Sequence, residues 1–116
     1  MRHRNTTKTF GRSKSAREAM LRDVATSVIV YEKIKTTQAK AKAARSLVET
    51  LITTAKAGDL SARRTLLAFF PTEQPVQKLM DILGPRYKNR NGGYTRIIKI
   101  GSRLGDAATV VQLELV

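Results

Sequence analysis

The first 17 residues contain Arg2, Arg4, Lys8, Arg12, Lys14 and Arg17, no acid, and, after Met1, Phe10 as the only large apolar side chain. A stretch with so little to bury and so much like charge cannot form part of a core, so residues 1–15 are expected to be a basic arm. The fold must then be built from residues 16–116, a length that suits one domain and one core. Composition permits that core. Leu, Ile, Val and Phe make up 29 of 116 residues, about 25%, above the roughly 20% typical of disordered chains.

Past the arm, Ser15-Ala16-Arg17-Glu18 has the spacing of a capping box, and Met20, Leu21, Val24, Ala25, Val28 and Ile29 recur at helical spacing. Together they predict a helix from Ala16 to Tyr31. A short strand around Ile34 follows, ending in Thr36 and Thr37, which can cap the next helix. From Gln38 the apolar set Ala44, Leu47, Val48, Leu51, Ile52 and Ala55 lines one face of a long helix that Gly58 can stop. Asp59 is expected to cap a third helix from Leu60 to Phe70, ended by Pro71. Thr72 would cap a fourth through Val76, Leu79, Met80, Ile82 and Leu83, closed by Gly84-Pro85.

Arg86 to Gly93 is polar, basic and rich in turn formers, and so reads as a loop. The β-branched runs Tyr94–Ile100 and Thr109–Val116 flank the turn-rich Gly101–Ala108 and predict an antiparallel hairpin. Two strands alone are marginal, so the hairpin should recruit the Ile34 strand and bury one face under the helices. The expected architecture is a two-layer α+β fold, ordered helix, strand, three helices, β-hairpin, with a small mixed sheet packed against the helices.

Several functions are disfavoured by what is missing. There is no Cys, hence no disulfide framework and no thiolate metal site, and a reducing compartment fits. The only histidine is His3, in the arm, where a general base is not readily oriented. The acids have structural explanations: Glu18 in the capping box, Asp59 as a cap, Glu73 in a first turn, and Asp81 three residues from Lys78. Gly92-Gly93 lacks the spacing of a phosphate-binding P-loop and reads as a tight turn into a strand. Apolar runs such as Val28–Tyr31 are far shorter than the roughly 18 residues that span a bilayer. No enzyme activity, cofactor, metal or membrane association is expected.

The cations point to a partner. With 22 Lys and Arg against 9 Asp and Glu, the formal charge is +13, and it is clustered. The arm is one cluster. Lys33, Lys35, Lys40, Lys42 and Arg45 form a second, and Arg86, Lys88, Arg90, Arg96, Lys99 and Arg103 lie in an acid-free stretch. Cations that neutralise phosphates release counterions, so such clusters bind nucleic acid without a sequence code. Tyr87 and Tyr94 flank the basic loop and are candidates for base stacking or for packing at the hairpin edge. A helix-turn-helix, a paired-aromatic sheet and a zinc finger are all missing, and an arm suited to threading between phosphates favours folded RNA. The alternatives are a nucleoid-type DNA-binding protein and, less in keeping with the lone His3, a nuclease acting on RNA.

Short motifs then carry a family resemblance: Met1-Arg2-His3-Arg4, Ile34-Lys35-Thr36-Thr37, Leu83-Gly84-Pro85-Arg86-Tyr87, Gly92-Gly93-Tyr94-Thr95-Arg96-Ile97, Gly105-Asp106-Ala107-Ala108 and Glu114-Leu115-Val116. In this order and over the whole chain they resemble the bacterial large-subunit ribosomal protein seventeen family. The resemblance implies a non-catalytic constituent of the large ribosomal subunit that supports assembly and translation. It would be bound to large-subunit rRNA near the nascent-chain tunnel exit, beside neighbouring ribosomal proteins, at one copy per ribosome, in the cytoplasm or an organelle. It also implies rRNA contact by Arg2, His3 and Arg4, by Lys35, and by Arg86, Tyr87, Arg90 and Arg96. The clusters add Lys8, Arg12, Lys14, Arg17, Lys33, Lys40, Lys88, Tyr94 and Arg103 as candidates. Two segments depart from the family pattern: Ala16-Arg17-Glu18-Ala19, where His-Arg-Lys-Ala is usual, and Phe69–Pro75, where a more charged linker is expected. Phe69 and Phe70 are expected to pack against neighbouring helices or a protein neighbour.

Overall fold

The computed structural model describes residues 10–116, so Arg2, His3, Arg4 and Lys8 lie outside the described residues. The first helix, α1 (Lys14–Tyr31), begins two residues earlier than the sequence suggests. Its cap is Ser13, whose hydroxyl accepts from the Ala16 amide at 3.4 Å. Ser15 and Glu18 are therefore both inside the helix, and the expected capping box does not form. The earlier serine has extended backbone and satisfies an orphan amide first. At the other end Glu32 turns left-handed (φ +65) and its amide closes the helix on the Val28 carbonyl.

β1 (Lys33–Thr37) follows, then α2 (Gln38–Lys56), on whose inner face Ala41, Ala44, Val48, Leu51, Ile52 and Ala55 are buried. Thr37 occupies the cap position of α2 but makes no side-chain cap bond. α3 (Leu60–Phe69) is capped as expected, with Asp59 accepting from the Ala62 amide at 2.8 Å.

The next segment corrects the sequence reading. Glu73, not Thr72, is the cap residue of α4 (Gln74–Lys78), and Gly84-Pro85 does not end the helix. The helix widens into a π-helical turn (Leu79–Leu83) and continues as α5 (Gly84–Arg86). Pro85 offers no amide and its ring would crowd a carbonyl one turn back in regular α geometry, which a widened turn relieves. Gly84 has a tertiary reason to be glycine. A Cβ there would lie 3.0 Å from the Ala55 carbonyl oxygen and 3.2 Å from that of Leu79, so its lack of a side chain lets α2 and the π turn touch backbone to backbone. Phe70 is buried, with Phe69 edge-on to it at 4.8 Å and the Arg22 guanidinium 5.4 Å from the Phe69 ring centre.

β2 (Thr95–Ser102) and β3 (Thr109–Leu115) form the hairpin, and β1 joins on the far side of β3. Both pairings are antiparallel, so the sheet is antiparallel throughout rather than mixed. The hairpin places β3 in the centre, and β1 enters from α1 running the same way as β2. Ile34, Leu113 and Ile97 align across the three strands towards the helices, while Lys33, Glu114 and Arg96 align on the opposite face. A bulge at Ile100 shifts the register between Lys99 and Gly101. The core lies between the sheet and α1, α2 and α4. Among the described residues no helix is long and apolar enough to cross a membrane.

Candidate nucleic-acid interface

Some of the cations are already engaged by acids of the same chain. Arg86 grips Glu32 with both terminal nitrogens, and Lys78 donates to the same carboxylate at 3.1 Å and to the Val30 carbonyl at 2.9 Å. Lys78 thus reaches across to α1, not along its own helix to Asp81. The Glu32 carbonyl also accepts from the Leu115 amide at 2.8 Å, so this one residue ends α1, extends the sheet and collects two cations. The hydrogen bond from Arg86, acting against burial and aided by Lys78, lowers the Glu32 carboxyl from 4.5 to about 2. The same bond raises Arg86. Arg86, expected on rRNA, is thus held by the fold.

Arg103 is held in a similar way at the hairpin tip by Asp106, whose carboxyl the Arg103 bond and the Ala108 amide lower to about 2. Arg96 lies 3.4 Å from Glu114 and Arg45 lies 3.2 Å from Glu49.

Both tyrosines contradict the stacking expectation. Tyr87 is 3% and Tyr94 2% exposed, and their ring centres are 5.1 Å apart. The Tyr87 hydroxyl donates to the Val116 carbonyl at 2.8 Å. The Tyr94 oxygen accepts from Lys56 at 3.0 Å and from Thr53 at 3.4 Å, which lowers its pKa, the Lys56 bond most. Neither ring offers a face to a base. They pack because an aromatic ring beside an amphipathic helix removes more apolar surface from water than it does in a solvated loop.

The remaining candidates are spread over the fold. Lys88 and Arg90 are exposed on the loop that leads into β2, and among the described residues neither is in an ion pair with an acid. Lys33 and Lys35 are exposed on the outer face of β1, equally without an acid within 4.0 Å among the described residues, and the pairing register sets Lys33 in one cross-strand row with Arg96. Members of the second and third sequence clusters, Lys33 and Arg96, about 60 residues apart, are therefore brought to one end of the sheet. Arg12, exposed Lys14 and half-buried Arg17 are at the start of α1. That helix has 18 residues, so its start stands about 27 Å from the sheet end at the rise of an α-helix. Lys40 is half-buried in the first turn of α2, and Arg103 lies at the far end of β2.

Sequence reasoning missed two features. Arg63 and exposed Arg64 on α3 add cations that the three clusters left out. Glu49, an acid with no assigned role in the sequence, accepts from the Gly93 amide at 3.0 Å and the Thr95 hydroxyl at 2.8 Å. Its only sequence signal is an acid on the polar face of an otherwise basic helix. Burial would raise its pKa, but the bonds from Thr95, Arg45 and Gly93 together hold it below the ordinary value.

Comparison with known proteins gives consistent matches. The family model described as Ribosomal protein L17 matches residues 20–116. "Large ribosomal subunit protein bL17" of Trichlorobacter lovleyi is 51% identical over 116 residues, covering 100% of this chain and 94% of that protein. The protein of the same name from Clostridium perfringens is 53% identical over 107 residues, covering 92% and 95%. That of Pelobacter propionicus is 52% identical over 116 residues, covering 100% and 91%.

Proposed function

The chain belongs to the ribosomal protein L17 family, and from that premise we propose how it acts as a constituent of the large ribosomal subunit. It is a structural protein that binds rRNA, not an enzyme, and its place is the cytoplasmic ribosome. It works by neutralising charge on a rigid frame. Lys33 and Lys35 on the sheet and Lys88 and Arg90 on the loop take phosphates of one RNA segment. Arg12, Lys14 and Arg17, with Arg2, His3, Arg4 and Lys8 before them, take those of another. The core between them keeps the two segments at a fixed separation, which supports assembly of the subunit. Contact with neighbouring ribosomal proteins near the nascent-chain tunnel exit, at one copy per ribosome, belongs to the same reading.

The observation that carries this reading is a set of exposed cations without an ion-pair partner among the described residues, Lys33 and Lys35 on β1 and Lys88 and Arg90 on the loop into β2, beside others that the fold has engaged. Phosphate is the ligand such an array suits, because cations left unpaired in a chain of charge +13 favour a polyanion. Duplex DNA is the weaker reading, since no described element is shaped to read a groove. Sedimentation of a tagged chain through sucrose tests the role: it is expected to move with the large subunit and to stay there through a high-salt wash. Recovery in light fractions would contradict it. For the sheet cations, Lys33→Ala with Lys35→Ala should lower the log-log salt slope of rRNA binding by about two units, and an unchanged slope would remove them from the interface.

A further inference from the structure

We propose that Glu49 is a positioning residue for RNA binding: by accepting the Gly93 amide and the Thr95 hydroxyl it holds the 88–93 loop so that Lys88 and Arg90 meet phosphate in a set arrangement. This rests on the reading of that loop as an RNA-binding element. By charge alone the residue is misplaced, because an acid beside a phosphate-binding loop repels the ligand and its removal should tighten binding.

The geometry argues the opposite. Gly92 and Gly93 are both left-handed (φ +79 and +62), a conformation that glycine permits but does not by itself select. One carboxylate oxygen selects it by taking the Gly93 amide, and the other takes Thr95, the first residue of β2. Arg45, one turn earlier on α2, steadies the carboxylate at 3.2 Å. Thr53 and Lys56 continue the same helical face, gripping the Tyr94 hydroxyl, and Lys56 also donates to the Arg90 carbonyl. Arg90 in turn donates from Nε to the Gly93 carbonyl at 3.1 Å. The direction of the Arg90 guanidinium therefore follows the loop backbone, and the loop backbone follows Glu49.

The test measures binding of the full chain to a transcript of bacterial large-subunit rRNA across a salt series. Glu49→Ala should bind about fivefold more weakly despite its extra net positive charge, the cost of ordering one or two long side chains anew. Its salt slope should fall by about one unit, and the Gly93 amide should exchange faster with solvent. Glu49→Gln, which keeps an acceptor on the same branch, should recover part of the loss. Lys88→Ala with Arg90→Ala is the control for the loop itself. If that double variant binds weakly while Glu49→Ala binds as well as or better than the unaltered chain, the role of Glu49 is wrong and the loop reading stands. If the double variant binds normally, both are wrong. Should Glu49→Ala fail to fold, Gly93→Ala serves instead, since its added Cβ meets nothing within 4 Å and perturbs only the left-handed backbone. It should show the same weakening, and unchanged affinity would overturn the proposal.

Discussion

Arg86 and Arg90 are four residues apart and carry the same charge, yet they belong to different regions of the molecule. Arg86 faces Glu32, which ends α1, extends the sheet and gathers Lys78 as well. Arg90 sits on a loop whose backbone is held from α2 while its side chain is exposed and engages no acid among the described residues. A basic composition is therefore not a uniform coat. Cations next to an acid act as fasteners of the fold, and in the proposed reading the cations the acids do not reach are left for a ligand. Variants in the first region should change stability and leave the salt dependence of RNA binding alone; variants in the second should do the reverse.

The largest expected effect is in the first region. Gly84→Ala would push a Cβ against the Ala55 and Leu79 carbonyl oxygens, and backbone atoms cannot step aside as side chains do. A loss of about 2 kcal/mol is expected, within the usual range for overpacking, read as a lower melting temperature with an unchanged salt slope for the folded fraction. Next, Arg86→Ala should lose about 0.5–1 kcal/mol, as befits an ion pair whose members are more than a third exposed. Chemical denaturation would measure it, and a loss of RNA affinity with no loss of stability would dissolve the distinction between the regions.

A smaller effect follows from pH. Glu32 is lowered from 4.5 to about 2 in the folded chain, so its contribution is fully present above its unfolded value. That contribution is lost as pH falls from about 4.5 towards 2, because the unfolded chain takes up the proton first. The stability difference between the unaltered chain and Glu32→Gln should accordingly shrink through that window. A difference that stays constant with pH would show that the carboxylate charge is not what holds Arg86. The smallest effect should come from Tyr87→Phe, which removes one hydrogen bond to the Val116 carbonyl. It should cost about 0.5 kcal/mol, because Val116 is exposed and its carbonyl can take water instead, and RNA affinity should be unaltered.

The sequence shows the parts of this molecule that depend on near neighbours in the chain. The apolar stripe of α2, the Asp59 cap and the two β-branched runs are all local signals, and the structure matches them. Gly84-Pro85 is as strong a local stop signal and misleads, because the contact that keeps the helix going is with Ala55 on another helix. The interface divides the same way. That residues 86–103 are basic can be read directly, but which of those cations the fold has already engaged cannot. Glu32 is 54 positions from Arg86 and Glu49 is 44 from Gly93, and no periodicity connects them. Tyr87 and Tyr94 bracket a basic loop in sequence and pack against each other in space, which reverses the meaning of the same pattern.

The division between fold-held and ligand-facing cations is tested most directly by the salt dependence of rRNA binding for the unaltered chain, Arg86→Ala and Arg90→Ala, measured side by side on folded protein. Arg90→Ala should flatten the log-log slope by about one unit and Arg86→Ala should leave it unchanged. Equal flattening by both variants, or by Arg86→Ala alone, would contradict the account.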